Sequence, residues 1–296
     1  MPALFTSNVP ISGETQFETL KKIACALTGN GSPSSIDPSL FFAKGEGTGQ
    51  YSINKYGRST NVDSGINTDI WDRANATDDQ DVWVAPTEAR VHAIVSTSDE
   101  DSAPGGVVAE GTGAKTIQVY GLPSWSEREI SEVITMDGTT AVNTVNSYVI
   151  IHRMKVLTKG GNAGGPNVGV ITATAATDST VTAQINAAEG QTQMCIYGIP
   201  SIQTLYMTNF YCDMLKSGSA ARAIISLLVN PEPDSELINF LVKTTRNVER
   251  DGTSSWQHFY NTYNKIEGPA IIKIRANGSA ANLDISGGFG GIILDN

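Results

Sequence analysis

The stretch TIQVYGLPSWSEREISEVITMDG, residues 116–138, decides the fold class. In its first run Ile117 and Val119 alternate with polar neighbours, which is the pattern of a half-buried strand. A turn with proline and serines follows, then a second alternating run, and the closing Asp-Gly pair is a hairpin signal. Residues 127–129 are charged and lie in or beside the turn, where we expect water to solvate them. The stretch therefore predicts β-hairpins.

The same pattern continues along the chain from about Asp69. Hydrophobic residues make up 40% of the 296 residues, charged residues only 17%, and there are 29 glycines, a composition that favours sheets with tight turns. Short runs such as DVWVAP (81–86) and VGVITATA (168–175) recur between turn residues. We predict an all-β fold of β-sandwich or jelly-roll type. Its body comprises a first β unit, residues 63–185, and a second, jelly-roll-like unit, residues 186–296.

The N-terminal part has a different pattern. Residues 14–28, ETQFETLKKIACALT, have apolar side chains at helical spacing and predict an amphipathic helix. Residues 29–66 are rich in Gly, Ser, Pro and Asn and predict an irregular, extended segment. We predict that residues 1–62 form a helix and an attachment arm. The expected arm contacts are apolar: Phe17, Leu20, Leu27, Phe41 and Phe42.

Charge excludes one class of partner. The formal net charge is −10, and residues 63–113 alone hold eleven acidic and two basic side chains. Because no basic stripe could neutralise a phosphate backbone, we expect no nucleic-acid binding. No run approaches the length of a membrane-spanning helix, and residues 1–14 lack the features of a signal peptide, so we expect no membrane partner and synthesis in a cytoplasm.

Side chains for catalysis are scarce. The three histidines, His92, His152 and His258, form no close pair, and the first two lie in apolar runs that are typical of buried strand histidines. No nucleophile elbow or phosphate-binding loop is present. We therefore expect a non-enzymatic protein without a cofactor. The three cysteines are Cys25, Cys195 and Cys212; free buried thiols are favoured, although contact between the last two stays open.

Two acidic clusters raise the alternative of a calcium site. They are Asp78, Asp79 and Asp81, and residues 99–101. Calcium takes several oxygen ligands at once, but neither cluster has the spacing of an EF-hand loop. Solvated acidic loops are the favoured interpretation.

The most suggestive binding strand is SWQHFYNTY, residues 255–263. Alternation places Trp256, His258 and Tyr260 on one face and Phe259 and Tyr263 on the other. Such a face predicts either a glycan site or a protein interface, and the interface is favoured. The run GGFGG, residues 287–291, needs a cover, and we expect valine at Gly288 and Gly290 to disturb assembly more than secondary structure.

Several runs resemble β-rich virion structural proteins of tailed bacteriophages, many of them from marine hosts. The resemblance spans most of residues 65–296 and is a pattern of strands and turns rather than a catalytic motif. Its clearest stretches are GINTDIWDRAN (65–75), GTGAKTIQVYGL (111–122), EISEVITMDGTTAVNTVNSYVIIHRMKVLTKGG (129–161), NVGVITATA (167–175), GQTQMCIYGIP (190–200), TLYMTNFYCDMLKSGS (204–219) and DISGGFGGIILDN (284–296).

The resemblance implies a component of the virus particle, with other capsid or tail proteins as partners and no catalytic residues to transfer. We expect a homo-oligomer, a homotrimer, that decorates or stabilises the exterior of the head. The alternatives are a tail, neck or baseplate component, a glycan-binding adhesin of the virion, and a glycosidase with paired carboxylates.

Overall fold

A computed structural model describes residues 49–75, 80–161, 164–215, 221–235, 240–249 and 254–296. The chain divides into two compact units, Met1–Ser52 and Ile53–Asn296, and the description below concerns the second unit with the few described residues before it. The predicted helix 14–28 and the arm residues Phe17, Leu20, Leu27, Phe41 and Phe42 lie outside the described residues.

The described residues form sixteen β-strands and one short 3₁₀ helix, Asp72–Asn75. The strands are β1 (Gln50–Val62), β2 (Asn67–Asp69), β3 (His92–Ser96), β4 (Ala114–Leu122), β5 (Ile130–Thr135), β6 (Val142–Asn143), β7 (Ile150–Lys159), β8 (Ile171–Ala175), β9 (Thr180–Ile185), β10 (Ile196–Ile199), β11 (Gln203–Leu215), β12 (Arg222–Asn230), β13 (Leu241–Glu249), β14 (Ser255–Glu267), β15 (Ala270–Gly278) and β16 (Leu283–Asp295). Within the described ranges no helix is long and apolar enough to cross a membrane.

The strands form four sheets, and β1 and β2 belong to the two that the C-terminal strands mainly build. The middle of the chain supplies two sheets, with strand orders β6-β3-β8-β9 and β5-β4-β7. The C-terminal part supplies the other two, with orders β1-β16-β11-β14 and β10-β15-β12-β13, and β2 joins the second of these beside β15. The pairs among strands β2 to β16 are antiparallel, as between β11 and β16 and between β4 and β5. The predicted all-β, sandwich-like fold class is confirmed.

Alternation explains why these segments form strands. In β4, Ile117 and Val119 are fully buried while their neighbours are partly exposed, as the sequence predicts. These two side chains belong to one apolar core that also contains Ile150 and Ile171, and Trp71 and Ile271 extend that core to the C-terminal sheets. A continuous core of this kind holds the sheets together, because apolar burial is the main stabilising term in folding.

The two C-terminal sheets pack through their central strands. Phe210 of β11 and Phe289 of β16 are fully buried, as are Leu227 of β12 and Ile274 of β15. A side chain at Gly287 of β16 would touch the Ile274 side chain, so the glycine allows the sheets to approach closely. The GGFGG run is thus covered by its own sheet, between β1 and β11.

Three local predictions are wrong. Residues 50–62, assigned to the irregular arm, form β1 beside β16. The run DVWVAP forms no strand. The backbone N–H of Trp83 donates to the side-chain oxygen Oδ2 of Asp69 rather than to the backbone of a neighbouring strand. The Asp-Gly turn at 137–138 connects β5 to β6, which lie in different sheets, so it does not close a hairpin.

Candidate functional site: the aromatic edge

The candidate site lies on β14, the end strand of its sheet within the described part of the chain. Trp256 pairs with Cys212 of β11 and His258 pairs with Phe210. Directly opposed residues of an antiparallel pair point to the same face, and Cys212 and Phe210 are fully buried. The side chains of Trp256 and His258 therefore point inward, toward the space between the two C-terminal sheets.

Trp256, His258 and Tyr260 form a continuous ladder of rings. Trp256 and His258 are stacked, with centroids 5.7 Å apart and an interplanar angle of 11°. His258 and Tyr260 meet edge to face at 4.7 Å. Trp256 also contacts Phe210 at 5.4 Å, which attaches the ladder to the core. The predicted grouping of these three side chains is what the structure shows, and all three are half-buried.

A cation from the neighbouring sheet stacks on the ladder at Trp256. The Arg246 guanidinium of β13 lies 4.2 Å from the centroid of the Trp256 ring. Arginine stacks readily on aromatic faces, and such contacts strengthen when water is partly excluded. Because β13 is the end strand of the second C-terminal sheet among the described residues, this contact joins the two sheets at one edge.

Two other rings of β14 are exposed. Phe259 is 65% exposed and Tyr263 is 52% exposed. Leu241 and Val242, at the start of β13, are exposed as well. We call these four side chains, with the Trp256–His258–Tyr260 ladder and Arg246, the aromatic edge. It offers apolar area and open strand edges, which suit contact with another polypeptide.

Two ionisable groups in and beside the aromatic edge have pKa values typical of buried, unreactive side chains. Burial raises the pKa of the Tyr260 hydroxyl, and burial raises the pKa of the Cys212 thiol to about 12. A thiol with so high a pKa is a poor nucleophile at neutral pH, because the thiolate is the reactive form. Cys195 and Cys212 are both free and buried, as favoured from the sequence.

The acidic clusters are organised by hydrogen bonds within the protein. Asp99 accepts from Thr139, and Glu100 accepts from the backbone and hydroxyl of Thr112. Asp101 is fully buried. Asp78 and Asp79 lie outside the described residues, so neither the favoured solvated loop nor the alternative of a calcium site with Asp81 is tested. Across the described ranges, no group of three or more His, Cys, Asp or Glu side chains is placed to hold a metal ion.

Sequence reasoning missed a buried polar cluster at the junction of β1 and β7. His152 Nε2 lies 2.5 Å from Glu129 Oε2, and Lys55 Nζ donates to the His152 carbonyl oxygen. Burial lowers the pKa of Lys55 to about 8 and also lowers the pKa of His152. Glu129, expected to be solvated, is instead partly covered by this contact. Only strand register places Glu129 and His152 together, so no local signal could reveal the pair.

His92 is the second buried strand histidine. Its Nδ1 lies 2.9 Å from the Arg90 carbonyl oxygen, and its ring meets Tyr148 edge to face. Burial lowers the pKa of His92 to about 4, so the ring is neutral at physiological pH. Both His92 and His152 are thus buried strand histidines, as the sequence predicts, but each has only one ring nitrogen in a hydrogen bond within the described part of the chain.

Comparisons with known proteins do not assign a family. No family model matches the chain, and no curated protein matches it. A solved structure of T=1 particles derived from infectious bursal virus is similar over 84% of this chain and 70% of that chain, with 10% identity and a TM-score of 0.18. A TM-score of 0.18 does not indicate a common fold.

Proposed function

We propose that the protein is a non-enzymatic structural component of a bacteriophage virion that assembles with copies of itself, as a homotrimer on the exterior of the head. The resemblance of residues 65–296 to phage virion proteins supports the proposal that the protein is part of a virus particle. The aromatic edge supports the proposal that it assembles with copies of itself. The observation that carries the proposal is the exposure of Phe259 and Tyr263 on β14 and of Leu241 and Val242 on β13, the end strands of two sheets that meet through the Arg246–Trp256 contact.

Exposed apolar side chains on end strands are the usual mark of a contact surface. An end strand presents backbone N–H and C=O groups that can pair with another chain, and soluble proteins normally protect such strands with charge or proline. β14 presents the exposed rings of Phe259 and Tyr263. Aromatic side chains are enriched at protein interfaces because they bury a large area for little lost conformational freedom.

Contacts on the inner face of β14 fix the position of the strand before a partner binds. Contacts of Trp256 with Phe210 and Arg246 hold the strand against the core. A partner therefore meets a strand whose shape is already set, which lowers the entropic cost of association. The half-buried ladder is less suited to sugar stacking than the sequence suggested, because its rings face the interior.

The charges of the aromatic edge favour a second copy of this chain as the occupant. β13 and β14 carry Lys243, Arg246 and Lys265 against Glu249 and Glu267. This nearly balanced set differs from the chain as a whole, whose net charge is −10. Two copies can therefore approach through this edge with little repulsion, and opposite charges are available on both sides of the contact.

The test replaces the most exposed ring of the edge. In Phe259→Asp, we expect the full-length protein to shift from oligomer to monomer in sedimentation velocity at micromolar concentration, with an unchanged circular dichroism spectrum. The matched control is Val133→Asp on β5, which has similar exposure in another sheet and should keep the oligomer. A wild-type monomer, or an oligomer that survives Phe259→Asp, would contradict assembly through this edge.

A second measurement tests the particle itself. Antibody labelling and mass spectrometry of purified phage should find the protein in fixed stoichiometry with the capsid protein. Stoichiometry with tail proteins instead would place it in the tail, neck or baseplate. Specific retention on host polysaccharide that is lost in Trp256→Ala or Tyr260→Ala would favour an adhesin.

A further inference from the structure

A cleft of about 810 Å³ opens between the segment 82–89 and the strands β12 and β15. Apolar side chains, among them Val84, Trp125 and Phe240, line its walls. Its polar lining includes Asn230, Lys273 and Arg275, together with Thr87, Glu88, Asp234 and Ser235. The volume suits a small molecule, and a few polar groups in an apolar wall are typical of ligand sites.

The inner end of the cleft carries a buried ion triad. Lys273 Nζ lies 2.5 Å from Asp69 Oδ2, and Arg275 Nε donates to Asp69 Oδ1 at 2.8 Å. Asp69 is fully buried and Lys273 is 1% exposed. Two cations share one carboxylate, so the triad leaves one positive charge, shared between the buried Lys273 and the partly exposed Arg275. Lys273 Nζ also lies 4.0 Å from the centroid of Phe240, at the cleft wall.

Asn230 adds a donor that lacks an acceptor. It is 1% exposed, and its Oδ1 accepts a hydrogen bond from Glu232 N at 3.1 Å. Its Nδ2 has no hydrogen-bond partner within the described part of the chain. A buried amide N–H without an acceptor is costly, which favours an acceptor supplied by a ligand. The polar groups of the inner cleft thus favour a ligand that has oxygen acceptors and a negative charge.

The outer end of the cleft limits how much negative charge the ligand can carry. Glu88 and Asp234 line the cleft and are exposed. Glu88 forms an ion pair with Arg90, while Asp234 leaves a negative charge at the mouth. Polyanions such as nucleotides would be repelled there, whereas a single carboxylate can be balanced by the charge of the triad.

We propose that this cleft binds a small apolar carboxylate, with its hydrocarbon or aromatic body against Trp125, Phe240 and Val84 and its carboxylate accepting from Asn230 Nδ2 near Lys273 and Arg275. The site is separate from the aromatic edge and does not depend on the proposed assembly. No local sequence pattern indicates this site, because Asp69 and Lys273 are 204 residues apart.

The probe is 3-phenylpropionate, and its uncharged counterpart is 3-phenylpropanol. Titrations of the full-length protein followed by calorimetry should give a Kd for the acid below about 1 mM and at least ten-fold weaker binding of the alcohol. In Asn230→Asp, Oδ1 still accepts from Glu232 N, but a carboxylate replaces the donor. We expect this variant to bind the acid at least ten-fold more weakly than the wild type does and to bind the alcohol with unchanged affinity.

A second variant decides the matter if Asn230→Asp does not fold. Val84 is 46% exposed, so Val84→Glu adds a negative charge to the cleft wall without disturbing the core. It should also weaken binding of the acid at least ten-fold, whereas Val133→Glu, outside the cleft, should leave that binding unchanged. The proposal is overturned if the acid shows no saturable binding, if acid and alcohol bind equally, or if Val84→Glu binds the acid like the wild type.

Discussion

At the residue scale, buried carboxylates organise loops. Asp101 accepts four hydrogen bonds: Oδ1 from Ala114 N and Val168 N, and Oδ2 from Ser96 Oγ and Gly169 N, at 2.7 to 2.8 Å. Three separate segments of the chain therefore meet at one side chain. Its oxygens are occupied by these donors, so Asp101 acts as a structural anchor rather than a calcium ligand.

Asp101→Asn should destabilise the protein by about 3 kcal/mol, because the new NH₂ group would face backbone or hydroxyl donors and leave them unpaired. The measurement is urea unfolding at pH 7. The control is the neighbouring Asp99→Asn, whose side chain is exposed and which should cost less than about 1 kcal/mol. Equal losses for the two variants would refute the anchor role of Asp101.

His92 makes stability depend on pH. Its pKa is about 4 in the folded protein, below its ordinary value of 6.5, so its contribution is complete above pH 6.5 and is lost as pH falls toward 4. Over this range the unfolded chain binds a proton that the folded protein does not, a loss of about 3 kcal/mol.

The variant His92→Phe removes that proton uptake. Between pH 6.5 and 4, its unfolding free energy should fall less steeply than that of the wild type, by up to about 1.4 kcal/mol per pH unit. His152, which is also buried, should still contribute in both proteins. Parallel curves for variant and wild type, from urea unfolding at several pH values, would show that His92 is not the cause.

At the element scale, β16 depends on glycine because its neighbours lie directly against it. Tyr211 of β11 is the register partner of Gly288. A Cβ at Gly288 would overlap the Tyr211 hydroxyl and the Lys55 carbonyl oxygen of β1. The contact therefore lies within the sheet itself, whereas the sequence suggested a contact important for assembly.

Gly288→Ala should lower the free energy of unfolding by about 1–3 kcal/mol, because the Tyr211 ring and the β1 backbone must move. Thermal unfolding of the isolated protein measures it. Gly161→Ala is the control, since a Cβ there meets nothing within 4 Å. A normal melting temperature combined with lost assembly would instead restore the original expectation for this glycine.

At the scale of the whole molecule, β1 changes where the body begins. Because Gln50–Val62 is a strand beside β16, removing residues 1–62 would expose the β16 edge. We expect that deletion to unfold or aggregate, while deletion of residues 1–48 retains β1 and leaves a folded β body that no longer joins particles.

Circular dichroism, size-exclusion chromatography and incorporation into phage particles compare the two deletions. A soluble, cooperatively unfolding protein after deletion of residues 1–62 would show that β1 is dispensable. Normal incorporation after deletion of residues 1–48 would refute the attachment role of that segment.

The sequence by itself determined the fold class and most of the strands. Alternation in runs such as TIQVY reports directly which side chains are buried, because the side-chain period of a strand is two. The same rule grouped Trp256, His258 and Tyr260, and the apolar surroundings of His92 and His152 indicated their burial. These properties depend on neighbours along the chain.

Tertiary structure alone decided which strands pair and which distant groups meet. β1 reads as irregular because five of its thirteen residues, Gln50–Val62, are exposed and its partner β16 lies at the other end of the chain. The Asp-Gly turn has the local conformation of a hairpin but connects two sheets. Asp69 and Lys273, like Glu129 and His152, attract each other only after register has placed them in contact, since electrostatic and hydrogen-bond energies depend on distance in space and not on separation in sequence.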